Sequence, residues 1–290
     1  MPTLQLFWYD LCAAEAQTGQ RPWCRGSKSR PSHFFYPSTT YLIFFIVFFI
    51  VSSVKEFYNN HSFKYEQFEA QALTNKEKYP LLFQIRTKER QLLEKGFNKK
   101  VFYFATGSGS DIVHLNKSGA KIVTLDFSIE MINRTIDRMK KEGVAYKLLK
   151  NQNHLTEEFI NNFFEQNPND VLVIFADIKQ LKLPKNYFDY CFCYCTLPLL
   201  EDAWQEVLLK MLFSSKNGAV SVYLKERISH LKDYYIDFGF NSNIAGRTIC
   251  LEGGFVYYCI PPEKIIEVIE KEKSLEIIDS GLGKIYFWSL

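Results

Sequence analysis

None of the seven cysteines in this 290-residue chain falls in a Cys-x-x-Cys pair, which removes the zinc-knuckle and dithiol readings. An odd cysteine count without paired spacing also favours a reducing compartment over a disulfide-stapled secreted domain. Charge of one sign is scarce: 35 Lys and Arg mix with 32 Asp and Glu, leaving a net charge of only +3. With no basic face, no nucleic-acid partner is expected. The glycines form neither a Gly-x-Gly-x-x-Gly dinucleotide loop nor the Gly-Lys-Ser/Thr of a phosphate loop. No Ser-His-Asp order, paired-carboxylate geometry or metal-ligand spacing can be read from the chain.

What is present centres on Val101–Met131. Val101-Phe102-Tyr103-Phe104 reads as a short buried strand, because aromatic and β-branched residues fit a pleated surface covered on both faces. It runs into Ala105-Thr106-Gly107-Ser108-Gly109-Ser110-Asp111, where glycines permit a sharp turn and close approach of a ligand. Residues 112–116 then open a helix whose free N–H groups point at whatever the loop holds. A second strand, Lys121–Leu125, ends in Asp126, 19 residues after Gly107. A carboxylate about 20 residues on, at the tip of a neighbouring strand, is where a nucleoside ribose presents its two hydroxyls.

These blocks resemble those of the class I S-adenosylmethionine-dependent methyltransferases. The family's first motif, acidic-x-Gly-x-Gly-x-Gly, stands here as residues 103–109, with Tyr103 at the acidic position and Ala105 at the first glycine. Residues 119–131 resemble its second strand, acidic tip and following helix. Ala176-Asp177-Ile178 through Asp189-Tyr190 resembles the segment that puts an acidic side chain near the adenine amino group. Residues 191–202, 216–220 and 253–264 resemble later blocks, and residues 281–287 the closing strand. The resemblance spans roughly residues 60–290 and implies an α/β fold. That fold is a doubly wound, mostly parallel seven-stranded sheet, here preceded by an N-terminal hydrophobic helix.

It also implies a site for S-adenosylmethionine built from Ala105, Gly107, Gly109, Asp111, Asp126, Phe127, Met131, Asp177, Ile178 and Cys195. In that reading Asp126 takes the ribose hydroxyls and Asp177 the adenine amino group, with Met131 and Ile178 against the ring. Asp111 reaches toward the methionine amino group or stabilises its own helix N-terminus. No catalytic base is identified; Glu201, Asp202 and His230 are the candidates. The substitutions at 103 and 105 leave two functions open. One is methyl transfer to a small-molecule or lipid acceptor, the other a non-catalytic membrane-tethered scaffold that keeps the fold.

The rest of the body alternates in period. Ser128 precedes Ile129, Ile132, Ile136 and Met139, a capped amphipathic helix, and Thr156 caps another over Phe159, Ile160, Phe163 and Phe164. Residues 79–96 carry Leu82, Ile85, Leu92 and Leu93 on a helical stripe. Val171–Phe175 reads as a central parallel strand. Cys191, Cys193 and Cys195 alternate, which places all three on one strand face as small buried residues, Cys195 nearest the open end. Residues 224–253 read as an irregular insertion.

Residues 33–54 hold no Asp, Glu, Lys or Arg; as a helix these 22 residues would extend about 33 Å, enough to cross a bilayer. The expected organisation is a leader at 1–32, a single-pass anchor at 33–54, a helical cover at 55–98 and a methyltransferase domain at 99–290. Arg21, Arg25, Lys28 and Arg30 ahead of the anchor favour a cytosolic N-terminus, whereas a soluble methyl donor favours the catalytic domain on the cytosolic face.

Overall fold

Alternate residues of the central strands send side chains to opposite faces, and both faces are apolar, so helices must cover the sheet on both sides. In β1 (Lys100–Phe104), Val101 and Tyr103 join one buried cluster while Phe102 and Phe104 join another. The computed structural model describes residues 39–150, 152–251 and 256–290, with side chains from residue 54 onward apart from that of Glu201.

The described residues open with α1 (Thr39–Thr74) and α2 (Pro80–Leu93), the latter opened by a proline at its first position, where the missing N–H costs nothing. After β1 come α3 (Ser110–Lys117), β2 (Lys121–Asp126), α4 (Ile129–Lys141), β3 (Tyr146–Lys150), α5 (Glu157–Gln166) and β4 (Val171–Phe175). Then follow β5 (Phe188–Tyr194), α6 (Trp204–Ser214), β6 (Ser215–Tyr223) and α7 (Ile228–Asp237). The caps expected from sequence are present: Ser128 Oγ accepts from Met131 N at 3.2 Å and Thr156 Oγ1 from Phe159 N at 3.1 Å.

The stretch read from sequence as an irregular insertion, residues 224–253, holds α7 and the first two strands of a small antiparallel sheet of β7 (Ser242–Ala245), β8 (Thr248–Leu251) and β9 (Val256–Tyr258). Its strands have only three or four residues each, too short for alternation to declare them. The chain closes with α8 (Pro262–Glu270), β10 (Ser274–Ser280) and β11 (Gly283–Ser289).

The main sheet has eight strands in the order β10-β11-β6-β5-β1-β2-β4-β3, one more than the seven expected. β11 runs antiparallel to both of its neighbours, β10 and β6, and the other pairings of this sheet are parallel. The additional strand is β3, which pairs in parallel with β4 at the sheet edge. Its sequence, Tyr-Lys-Leu-Leu-Lys, exposes Lys147 and Lys150, charges that keep a sheet edge from recruiting another chain but mask a strand pattern. The clusters assign α1, α2, α3, α4 and α7 to one face and α5, α6 and α8 to the other.

Residues 1–38 lie outside the described residues, so the leader and the start of the expected anchor do too; residues 39–54 form the opening of α1. Among the described residues, no helix is long and apolar enough to cross a membrane.

Candidate active site

The strand order reverses direction at β1: β2 lies on one side and β5 on the other, both parallel to it. Loops leaving the C-terminal ends of such strands diverge, and a crevice opens between them. The pairing of Phe104 with Leu125 brings Ala105 level with Asp126, and Thr106 N donates to Leu125 O at 3.2 Å. The glycine loop and the Asp126 tip therefore form one floor.

Four residues on or beside this floor have left-handed backbone: Ala105 (φ 62), Gly107 (φ 53), Gly109 (φ 78) and Cys195 (φ 54). Ala105 thus stands in the conformation glycine favours, at a cost of roughly 1–2 kcal/mol. Cys195 follows the last residue of β5, and its positive φ accompanies a change of face. Cys191 and Cys193 pack in the cluster on the α5–α6–α8 side, whereas Cys195 packs against the other cluster. The three cysteines therefore do not share one face, because Cys195 no longer belongs to the strand.

A cavity of about 60 Å³ lies on this floor. Ala105, Gly107, Asp126, Phe127, Met131 and Cys195 line it, so six of the ten sequence-derived candidates meet there. The other four are placed differently. Gly109 serves packing: an added Cβ would come within 2.9 Å of Thr135 Cα on α4. Ile178 is buried in the cluster on the opposite face of the sheet. Asp177 is half-buried outside the cavity lining, and its Oδ1 accepts from Lys179 N at 2.9 Å.

Asp111 is locked beneath the floor rather than open to a ligand. Its carboxylate accepts from Tyr103 Oη at 2.6 Å and pairs with Arg86 Nη2 at 3.0 Å and Arg90 Nε at 2.7 Å. Burial alone would raise its pKa, but Arg86 and Arg90 beside it hold the carboxyl below the usual range. Tyr103 thus fills the motif's acidic position with a hydroxyl that donates to a neighbouring acid.

Asp126 is the group with the most freedom to act. It is buried, lines the cavity, and accepts from Ser128 N at 2.9 Å and Thr106 Oγ1 at 3.3 Å. Burial pushes its pKa up to about 6, against the pull of those hydrogen bonds. A carboxylate so placed, beside a glycine turn at the sheet's switch point, fits a ribose diol. The donor set therefore suits a nucleoside cofactor.

The opposite wall comes from α1 and α2, the segment expected from sequence as a helical cover. Tyr58, Tyr65, Phe68, Glu69 and Ala72 of α1 and Leu82 and Arg86 of α2 line the cavity. Glu69 Oε2 accepts from Ser108 N at 3.0 Å, so the carboxylate lies directly on the glycine loop. Burial works against the Arg86 charge, but Asp111 and Glu89 keep its pKa well above the ordinary value. Glu89, wholly buried, pairs with Arg86 and accepts from Ser221 Oγ, and burial raises its pKa. One signal was available in the sequence: Arg86 and Glu89 fall on the same α2 stripe as Leu82, Ile85, Leu92 and Leu93, where charge is expensive unless paired.

Residues 103–218 match the family model described as a methyltransferase domain. The PH0226 protein of Pyrococcus horikoshii OT3 has a similar fold, at TM-score 0.51 and 15% identity, over 70% of this chain and 89% of that one. A Burkholderia thailandensis 1,6-didemethyltoxoflavin-N1-methyltransferase, crystallised with 1,6-didemethyltoxoflavin and S-adenosylhomocysteine, aligns at TM-score 0.44 and 11% identity. That alignment covers 89% of this chain and 92% of that chain. No curated protein sequence matches this one. The family match makes residues 103–218 a methyltransferase domain, and the likeness to the Pyrococcus protein is one of fold.

Proposed function

We propose that this protein transfers the methyl group of S-adenosylmethionine to a small-molecule or lipid acceptor presented at the aromatic side of the cavity. The observation that carries the reading is the buried Asp126 carboxylate, facing a cavity at the switch point of the sheet. When bound, the cofactor supplies a methyl group on a sulfonium that needs no further activation. The protein's work is then alignment and the exclusion of water. Asp126 would hold the ribose, Gly107 would let backbone approach the cofactor, and Phe127 and Met131 would pack against the base.

The acceptor side is set by Tyr58, Tyr65, Phe68, Tyr194 and Tyr223. Burial pushes the phenols of Tyr58, Tyr65, Tyr194 and Tyr223 well above their ordinary range, so they stay neutral. Neutral rings of this kind suit an apolar or planar acceptor better than an anionic one. Asp202 and His230 do not line the cavity, and the side chain of Glu201 lies outside the described residues; among the described residues its carboxylates are Glu69 and Asp126.

Calorimetric titration of S-adenosylmethionine into the full chain tests this reading, with Asp126→Ala as control. Micromolar binding, about −8 kcal/mol, that the substitution abolishes supports it; labelled-methyl incorporation into lipid, protein and RNA fractions then sorts the acceptors. A folded wild-type protein that binds no cofactor favours the non-catalytic scaffold. The observation on that side is the cavity's 60 Å³, against the roughly 300–1,000 Å³ usual for ligand pockets. We also propose a single-pass membrane location with the domain on the cytosolic face, resting on the 22 uncharged residues 33–54. Protease protection of the whole domain in sealed membranes would overturn that orientation.

A further inference from the structure

The charges at the wall of the cavity do not balance. Three carboxylates, those of Glu69, Glu89 and Asp111, stand around Arg86, and Arg90 is the second cation paired into the group. Asp111 engages both arginines at 3.0 Å or closer, and Glu89 is satisfied by Arg86 and by Ser221. Glu69 is left with the weakest share. Its Oε1 lies 3.9 Å from Arg86 Nη2, the limit of an ion pair, and Oε2 accepts one hydrogen bond, from Ser108 N. Its side chain is 18% exposed, so solvent gives only partial compensation. A carboxylate in that setting favours an added cation.

The cofactor assigned above brings one. S-adenosylmethionine ends in an amino acid, a zwitterion whose ammonium and carboxylate sit one carbon apart. A group of that shape needs an anion and a cation a short distance from each other. Glu69 and Arg86 offer that arrangement within the cavity lining, and the stretched contact between them is the kind a zwitterion can bridge. An added Cβ on Gly107 would sit 3.2 Å from Glu69 Oε1, so any side chain there would crowd the carboxylate.

We propose that Glu69 of α1 is the ammonium-binding residue for the amino-acid end of the cofactor, paired across the cavity wall with Arg86. The assignment rests on the methyl-donor reading above. It makes α1 part of the binding site and places a binding residue 38 positions before the glycine loop begins to turn at Gly107.

S-adenosylhomocysteine and 5′-methylthioadenosine separate the possibilities, because they share the nucleoside thioether and only the first carries the amino-acid end. Both are titrated calorimetrically into full-length wild type, Glu69→Gln and Glu69→Ala, with thermal unfolding as the check that each variant folds. The expected result is about a tenfold loss of S-adenosylhomocysteine affinity in both variants, with methylthioadenosine unchanged. Equal or tighter S-adenosylhomocysteine binding by the variants would overturn the assignment and make Glu69 a plug over the loop. A parallel loss for both compounds would overturn it too, since the defect would then not lie at the amino-acid end. Wild type that binds neither compound would remove the methyl-donor reading itself, whereas the other failures leave that reading standing.

Discussion

The floor and the wall of the cavity are built on different principles. The floor, from Ala105 to Gly109 with Asp126, uses backbone: left-handed residues at 105, 107 and 109 fold a tight turn between adjacent parallel strands. The wall uses side chains: α1 and α2 bring aromatic rings and a buried set of charges from a segment before the sheet begins. A floor of this kind tolerates little change because its shape is conformational. The wall depends instead on charge pairing, where loss of one partner leaves another stranded in a low-dielectric interior.

The largest test of that contrast is Asp111→Ala. It leaves Arg90 without its buried partner and Arg86 with only Glu89 close by, for an expected loss of about 3–5 kcal/mol in chemical denaturation. A loss under about 1 kcal/mol would mean the wall behaves like a surface ion pair. Tyr103→Asp sharpens the same point. By sequence it restores the motif's acid and tightens cofactor binding; in the structure it sets a new carboxylate against Asp111 and removes a 2.6 Å hydrogen bond. The expected result is a less stable protein by about 2 kcal/mol, with no gain in cofactor affinity by calorimetry.

On the floor, Asp126→Asn keeps the shape and removes the charge. Cofactor affinity should fall by about 2 kcal/mol, roughly thirtyfold, while the melting temperature holds or rises. Asp126 also gives the floor a pH dependence. Its carboxyl titrates at about 6, so cofactor binding should strengthen about tenfold from about pH 5 to about pH 7 and then level off. The stability effect has the opposite sign. The folded state holds this proton more tightly than the unfolded chain does, so Asp126 stabilises less as pH rises from about 4 to about 6. A flat binding profile across that window would show that Asp126 does not face the cofactor. The smallest effect is expected from Ala105→Gly, which relieves a left-handed alanine and should stabilise the fold by at most about 1 kcal/mol in thermal melts.

How far the sequence reached follows the same division. Val101–Phe104, Lys121–Asp126 and Val171–Phe175 were legible because their apolar runs are continuous, and the helices behind Ser128 and Thr156 because their caps and stripes are local signals. The strand β3 was not legible, since an edge strand ending in lysines shows no alternation to read. Ile178 was carried onto the site by its place beside Asp177, yet its side chain points into the cluster on the far face of the sheet. Ile178 lies in the turn after β4, where no strand or helix period says which way a side chain points, and only tertiary packing settles it.

What the sequence by itself determined is the alternation of strands and helices, the turn at Gly107 and the acidic tip at Asp126. Each of these is encoded within a few residues by propensity, by glycine's freedom or by spacing. What tertiary structure decided is which charges meet. Glu69, Arg86, Glu89 and Asp111 come from three separate helices, and their shared burial fixes Asp111 as a structural ion and leaves Glu69 short of a cation. Coulombic energy depends on distance through the folded interior rather than on separation along the chain, so no local pattern could have announced it.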